Sequence, residues 1–350
     1  MSKLTNLKFA MGVSVFVAGF IFALFLFALL FLLQLDTLSG LIVGLAGTGL
    51  FILFQYLIGP FIVSAVTRLR YLKPGENPWL EATVKELADK SGIPIPRLAT
   101  VPSKAPNAFV FGRTSSSATL AVHEGLLKNL SKDEIKAVIG HELGHIKHKD
   151  YIVMTVLSAL PLIAYIIAQT MFRAAMFSSY SSRRQKNEGD GGVIFLAIGV
   201  LSFIVYIITF LSVRRLSRLR EHYADAFSAY LTGAPRSLSS ALAKITYGLS
   251  ILPKAPSEVR AFYIEDPTTA KQEVQQIMEM KNEYDLDRDG VLDERELEYA
   301  MEQEAKSTWN QLNSLFATHP PTFKRILLLR EIENEMRTGQ YTSGRIYSHV

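Results

Sequence analysis

The sequence predicts an α-helical membrane protein with four transmembrane helices and a mostly α, α+β domain outside the bilayer. Three observations carry that prediction. Of 350 residues, 49% are hydrophobic and 20% charged, against about 25% charge in an ordinary soluble protein. The apolar surplus is gathered into four long runs. Between and after them lie mixed stretches with strand and helix signals.

The runs are Phe9 to Leu35, Leu41 to Val66, Tyr151 to Phe172 and Val193 to Val213. Each supplies about the 20 apolar residues that a helix needs to cross a ~30 Å hydrocarbon core. The first is too long for a cleaved signal peptide and reads as a retained span. Pro60 and Pro161 imply kinks at most. The strongly polar side chains within the spans are amides such as Gln34, Gln55 and Gln169, with no Asp, Glu, Lys, Arg or His. Transport pathways are usually marked by ionisable groups, so a channel or transporter is disfavoured. Gly40-x-x-x-Gly44 is a weak signal for a close helix contact.

Lys3, Lys8, Arg68, Arg70, Lys73, Lys147, Lys149, Arg214, Arg215, Arg218 and Arg220 flank the spans on one side, against Arg173, Arg183, Arg184 and Lys186 on the other. The positive-inside rule makes the first side cytoplasmic. The expected organisation is two spans within 1–66, the first part of a cytoplasmic catalytic domain at 67–150, two spans within 151–213 joined by a flexible loop at 173–192, and the second part of that domain at 214–350. This is a multi-pass protein of the plasma (inner) membrane, with the lipid bilayer as a partner. The net charge of +5 is explained by that orientation, so no nucleic-acid partner is expected. With no cysteine in the chain, disulfides, iron–sulfur clusters, thiolate zinc and cysteine nucleophiles are excluded. Any metal must be held by His and carboxylates.

In the first soluble part, a helix at about Pro78–Ser91 is followed by strand-like segments near Leu98–Val101, Ala108–Phe111 and Ala118–Val122. Ser131-x-x-Glu134 is a capping box that opens a helix from Lys132. That helix carries His141-Glu142-Leu143-Gly144-His145, the HExxH pattern. Two His four residues apart turn through about 400°, so both imidazoles share a helix face and can grip one Zn²⁺. Glu142 then sits beside the open position, where it can take a proton from the attacking water and pass it to the leaving amine. A metzincin third ligand would need His at 151, which is Tyr151. After the fourth span the chain reads Glu221-His222-Tyr223-Ala224-Asp225, which makes Glu221 the expected third ligand and Asp225 a carboxylate for the second ring N–H of a ligand His. His148 and His222 are rival ligands, but each leaves this two-helix pattern unused.

The chain resembles the HtpX family of membrane-embedded zinc metalloproteases along nearly its whole length. Two spans, HExxH, two further spans and an E-x-x-x-D helix follow in that order, with Pro106-Asn107-Ala108-Phe109 before the active-site helix and Thr318-His319-Pro320-Pro321-Thr322 and Arg325 after it. The resemblance implies a zincin-like (gluzincin) domain, one catalytic zinc, and hydrolysis of misfolded or damaged membrane proteins or unfolded polypeptides. It also implies that Asn107, Ala108 and Phe109 lie on a strand edge where substrate pairs, and that His319 and Arg325 lie near the transition state. His145 stands six residues before the third span and Glu221 eight after the fourth, so continuous helices would hold the zinc on the order of 10 Å from the hydrocarbon boundary.

One stretch departs from that pattern. Within an acidic helical insertion at about 268–308, Asp285, Asp287, Asp289, Val291, Asp293 and Glu296, with Gly290 at the turn, fit the ligand positions of a twelve-residue EF-hand loop. Ca²⁺ is therefore a second expected ion, modulating activity. The alternatives are a prenyl-CAAX-type protease, which should carry more than four spans, and a catalytically inactive, calcium-responsive membrane scaffold.

Overall fold

The computed structural model describes residues 3–32, 37–182, 191–251, 263–265, 267–287, 317–342 and 345–350, with Tyr299 and Gln303 besides. These residues divide into two units. One comprises Thr5–Gly59 and Ile152–Leu216. It holds most of helix α1 (Lys3–Leu32), helix α2 (Thr37–Thr67) as far as Gly59, and the apolar parts of α6 (Asp150–Ser182) and α7 (Gly191–Thr232). All four are long and apolar enough to cross a membrane. Phe16 and Val43 are each 71% exposed. Leaving such side chains in water forgoes about 1.5–3 kcal/mol apiece, which hydrocarbon recovers. Phe22 and Phe25 turn inward and pack at 5.8 Å between ring centroids. A Cβ at Gly40 would stand 2.6 Å from Leu30 Cδ2, and one at Gly44 3.3 Å from Leu26 Cδ1. The weak Gly40-x-x-x-Gly44 signal thus marks a real close contact of α2 with α1.

Helix α6 continues to Ser182, where the sequence suggests that a loop begins at Arg173. Ala174, Ala175 and Met176 are strong helix formers and no Gly or Pro interrupts them before residue 189, so propensity outweighs the polar composition. Residues 183–190 of the expected loop lie outside the described ones.

The other unit comprises Pro60–Tyr151 and Ser217–Val350 with the short Met1–Leu4 segment. Its sheet has the order β1-β2-β4-β3, built from β1 (Arg70–Tyr71), β2 (Arg97–Val101), β3 (Ala108–Phe111) and β4 (Thr119–His123). β2 and β4 run parallel, and the other neighbours are antiparallel, with Ala108 opposite Val122 and Phe111 opposite Thr119. β3 is therefore the last strand on its side. Val63, Ala99, Val101, Phe109, Phe111 and Ala121 form one core beneath the sheet. Around it stand α3 (Pro78–Ser91), α4 (Glu124–Asn129) and α5 (Lys132–His148). Helix α8 (Pro235–Ser250) packs against α5, α9 (Pro267–Glu279) and α11 (Thr322–Arg337), while α10 (Lys281–Tyr284) adjoins α9.

Helix α5 is placed by its cap and by its glycines. The Glu134 N–H donates to Ser131 Oγ at 3.3 Å and the Ser131 N–H to Glu134 Oε2 at 2.7 Å, closing the expected capping box. A Cβ at Gly140 would meet Ser228 Oγ at 2.9 Å, and one at Gly144 would meet Ala224 Cα at 3.1 Å. Both glycines let α7 lie directly against α5, and the Ser228 hydroxyl donates to the Ala137 carbonyl across that contact at 2.6 Å. The glycine within HELGH is thus what permits α7 to deliver Glu221 to the histidines.

Candidate active site

His141 and His145 are one turn apart on α5, and their Nε2 atoms lie 3.1 Å from each other. From α7, Glu221 places Oε2 3.3 Å from His141 Nε2 and Oε1 3.5 Å from His145 Nε2. Donor atoms about 2.1 Å from a tetrahedral zinc stand about 3.4 Å apart, so these spacings suit one shared ion. Glu221 Oε2 is buried and accepts no hydrogen bond from the protein. A buried carboxylate oxygen left in that state is costly, and a cation satisfies it. The two-nitrogen, one-oxygen donor set is that of a catalytic zinc with an open fourth position. The residues present therefore fit the expected Zn²⁺, and among the described residues this is the one cluster of His and carboxylates so arranged. The rivals are displaced. His148 Nε2 hydrogen-bonds the Tyr347 hydroxyl at 2.9 Å, and its ring packs against Tyr223, Phe227 and Tyr347. His222, although next to Glu221, is not part of the converging set.

Glu142 is 3% exposed, beside the ligands on α5. Burial raises its carboxyl to about 6, aided by the Glu221 charge and opposed by the cationic groups around it. Asp225 lies one turn beyond Glu221 and reaches His141, with Oδ1 2.9 Å from Nδ1. It is in turn gripped by Arg325, fully buried on α11, whose Nε donates to Oδ2 at 2.8 Å and Nη2 to Oδ1 at 2.7 Å. Nη1 of the same guanidinium donates to the Ile264 carbonyl at 2.7 Å. Burial opposes the Arg325 charge, but Asp225 more than offsets it and raises the pKa further. Nη2 also lies 3.7 Å from Glu221 Oε2 and 3.4 Å from His141 Nδ1, so the guanidinium stands beside two of the ligand residues while Asp225 and Ile264 hold it. His319 is 5% exposed, with Nε2 3.9 Å from Glu221 Oε1 and Nδ1 2.9 Å from the Thr318 hydroxyl. Its segment is anchored where the Thr322 N–H donates to both Glu273 carboxylate oxygens at 3.2 Å.

Asn107 is fully buried, and its Oδ1 accepts from the Ile264 N–H at 2.9 Å. Ala108 and Phe109 are buried on β3, with Phe109 packed edge-on to His123. These side chains therefore belong to the interior. Of the calcium pattern, Asp285 and Asp287 are described, whereas Asp289, Gly290, Val291, Asp293 and Glu296 lie outside the described residues. Asp285 is buried behind α10.

Two residues at the site escaped the sequence reading. Asp150 stands 2.7 Å from His145 Nδ1, and Arg220 pairs with Asp150 at 2.8 Å. Arg220 was counted with the membrane-flanking cations, but it is 6% exposed and neutralises a carboxylate. The available signal was an Asp just beyond the end of the HExxH helix and an Arg directly before the third ligand.

Residues 74–333 match the model of Peptidase family M48. A protease HtpX homolog of Aeropyrum pernix is 33% identical over 84% of this chain and 90% of its own length. Those of Methanothermobacter thermautotrophicus and Moorella thermoacetica are 39% and 30% identical over 66% and 90% of this chain, and over 85% and 91% of their own lengths. The crystal structure of S. mikatae Ste24p aligns with a TM-score of 0.48 at 19% identity, over 94% of this chain and 66% of that one. With the triad and four membrane-length helices in hand, the match places the chain in Peptidase family M48, as an HtpX-type membrane zinc metalloendopeptidase.

Proposed function

We propose that this endopeptidase cleaves misfolded or damaged membrane proteins at the cytoplasmic surface of the plasma membrane. The observation that carries the reading is the buried His141, His145 and Glu221 triad, with Glu142 beside it, in a chain whose spans run into the ligand-bearing segments of the sequence. When bound, zinc supplies Lewis acidity to the water and to the scissile carbonyl. Glu142, with its carboxyl at about 6, is ionised at neutral pH yet close enough to it to return a proton. It takes the proton of the attacking water at a carboxylate oxygen and delivers it to the amide nitrogen as the C–N bond breaks. Asp225 accepts from His141 Nδ1, directs Nε2 toward the ion, and is itself held by Arg325. His319 pairs with the Thr318 hydroxyl through Nδ1 and turns Nε2 to the Glu221 side of the site, where an N–H on that nitrogen stabilises the developing oxyanion. An extended substrate adds to the β3 backbone, the end of the sheet order, in antiparallel or parallel pairing.

The test is hydrolysis of an unfolded membrane-protein substrate by purified, detergent-solubilised protein, with and without a chelator. Cleavage that zinc restores supports the reading. Chelator-insensitive cleavage, or none with any unfolded polypeptide, overturns it. Cytoplasmic placement rests on the asymmetry of basic residues, and impermeant labelling of a cysteine at Ser103 in intact cells would contradict it. The Asp285–Glu296 pattern is the support for calcium modulation, tested by calorimetry with Glu296→Gln as the control.

A further inference from the structure

Two buried carboxylates stand behind the two ligand histidines. Asp225, behind His141, belongs to the E-x-x-x-D pattern of the chain, but nothing in that pattern accounts for the one behind His145. His145 Nδ1 lies 2.7 Å from Asp150 Oδ2, on the ring edge opposite the Nε2 that faces Glu221. Asp150 is fully buried, and its Oδ1 lies 2.8 Å from Arg220 Nε. That contact is an ion pair rather than a hydrogen bond, because the Nε–H is not aimed at the oxygen.

The backbone is bent to make this arrangement. In an unbroken helix a residue five positions on is turned about 140° away from His145 and cannot face its ring. Here α5 stops at His148, and Lys149 takes a left-handed conformation (φ 59°, ψ 34°), with its N–H bonded to the carbonyls of His145 and Ile146. Helix α6 begins at once with Asp150. An L-residue pays strain for that conformation, and the reversal it produces brings the Asp150 carboxylate back to His145. Across the site, Arg220 and Glu221 are neighbours on α7, about 100° apart around the helix, so one reaches Asp150 while the other faces the metal position.

We infer that Asp150, held by Arg220, is the positioning residue for His145. It accepts the Nδ1–H, so the Nε2 lone pair is turned toward the zinc and made more basic. Arg220 neutralises the buried carboxylate and ties it to the helix that supplies the third ligand. Both ligand histidines are then braced in the same way, by carboxylates paired with arginines.

The inference rests on the zinc reading above, and the experiment keeps the two separate. Zinc affinity is measured by chelator competition on the full-length, detergent-solubilised protein, together with the melting of the zinc-free form. Asp150→Asn keeps an acceptor but loses its charge and is expected to weaken zinc about 10-fold, with Asp150→Ala approaching 100-fold. Asp150→Asn combined with Arg220→Gln leaves no unpaired buried charge, so melting should recover while the loss of affinity persists. Affinity of Asp150→Ala within about twofold of the parent overturns the inference, as does recovery of affinity together with melting in the double variant. A parent that binds no zinc overturns the site reading instead.

Discussion

The two units of this protein bury side chains by opposite rules. In the membrane unit, Phe16 and Val43 point outward, the buried side chains among the described residues carry no charge, with Ser202 and Thr209 as polar members, and a pair of glycines admits the leucines of a neighbouring helix. In the catalytic unit, the sheet hides Leu120 and Ala121, while Asp150, Asp225 and Arg325 are wholly buried beside the metal ligands. A solvent of hydrocarbon selects against charge, whereas a folded interior tolerates it where each charge has a partner. The difference teaches that polarity follows solvation in one unit and pairing in the other. Composition reveals the first, but only contacts across the fold reveal the second.

The contrast is broken most by removing a charge that chemistry requires. Glu142→Gln should retain zinc and lower the rate of peptide hydrolysis by about 10²- to 10⁴-fold, the usual contribution of a positioned general base. Turnover close to the parent would remove Glu142 from the mechanism. Asp225→Ala removes the carboxylate that takes two hydrogen bonds from the buried Arg325, leaving Glu221 at 3.7 Å as its ion pair, and should cost about 3–5 kcal/mol of stability, seen as earlier unfolding of the zinc-free protein. Arg325→Met in the same chain should recover much of it.

A third change acts through pH. Burial pushes His123 down to about 4, from about 6.5 in the unfolded chain. The folded protein prefers the neutral ring, so the unfolded state binds more protons between those values. Stability from this group is whole above pH 6.5 and is lost as pH falls toward 4, by roughly 3 kcal/mol. Denaturation at a series of pH values should show that slope in the parent and a flatter one in His123→Asn. Gly144→Ala should cost about 1–3 kcal/mol by pressing a methyl on the Ala224 backbone, and it should weaken zinc because Glu221 moves with α7. The smallest effect is expected in the other unit, where Phe16→Leu on the outward face should change stability by under about 0.5 kcal/mol; a large loss there would mean that this face packs against protein.

Much of the site was legible because its spacing is local. His141, Glu142 and His145 are fixed within one helix, and the Ser131 capping box announces where that helix begins. The strand segments also emerge close to where they were expected, since Ala108–Phe111 and Thr119–His123 are short runs of strand-forming residues. Asn107, placed by the resemblance on a substrate edge, also holds Ile264 through its side chain. Arg220, counted as a membrane-flanking cation, turned out to be a partner of Asp150. Both contacts join polar groups that lie far apart along the chain, so no local pattern announces them.

By itself the sequence determined that this chain has four membrane-length helices and a two-histidine helix face for a divalent metal with Glu142 beside it, because apolar length and helical period are properties of contiguous residues. It determined Glu221 only as the best of several candidates. The tertiary structure decided the rest: that His148 is committed to Tyr347, that Glu221 closes the triad, and that Arg325 answers Asp225 while Arg220 answers Asp150. The reason is physical. A buried charge survives only beside its counter-charge, and the sequence separations of 100 for Asp225 and Arg325 and of 70 for Asp150 and Arg220 are closed by α11 and the start of α6 meeting α7 rather than by any local pattern.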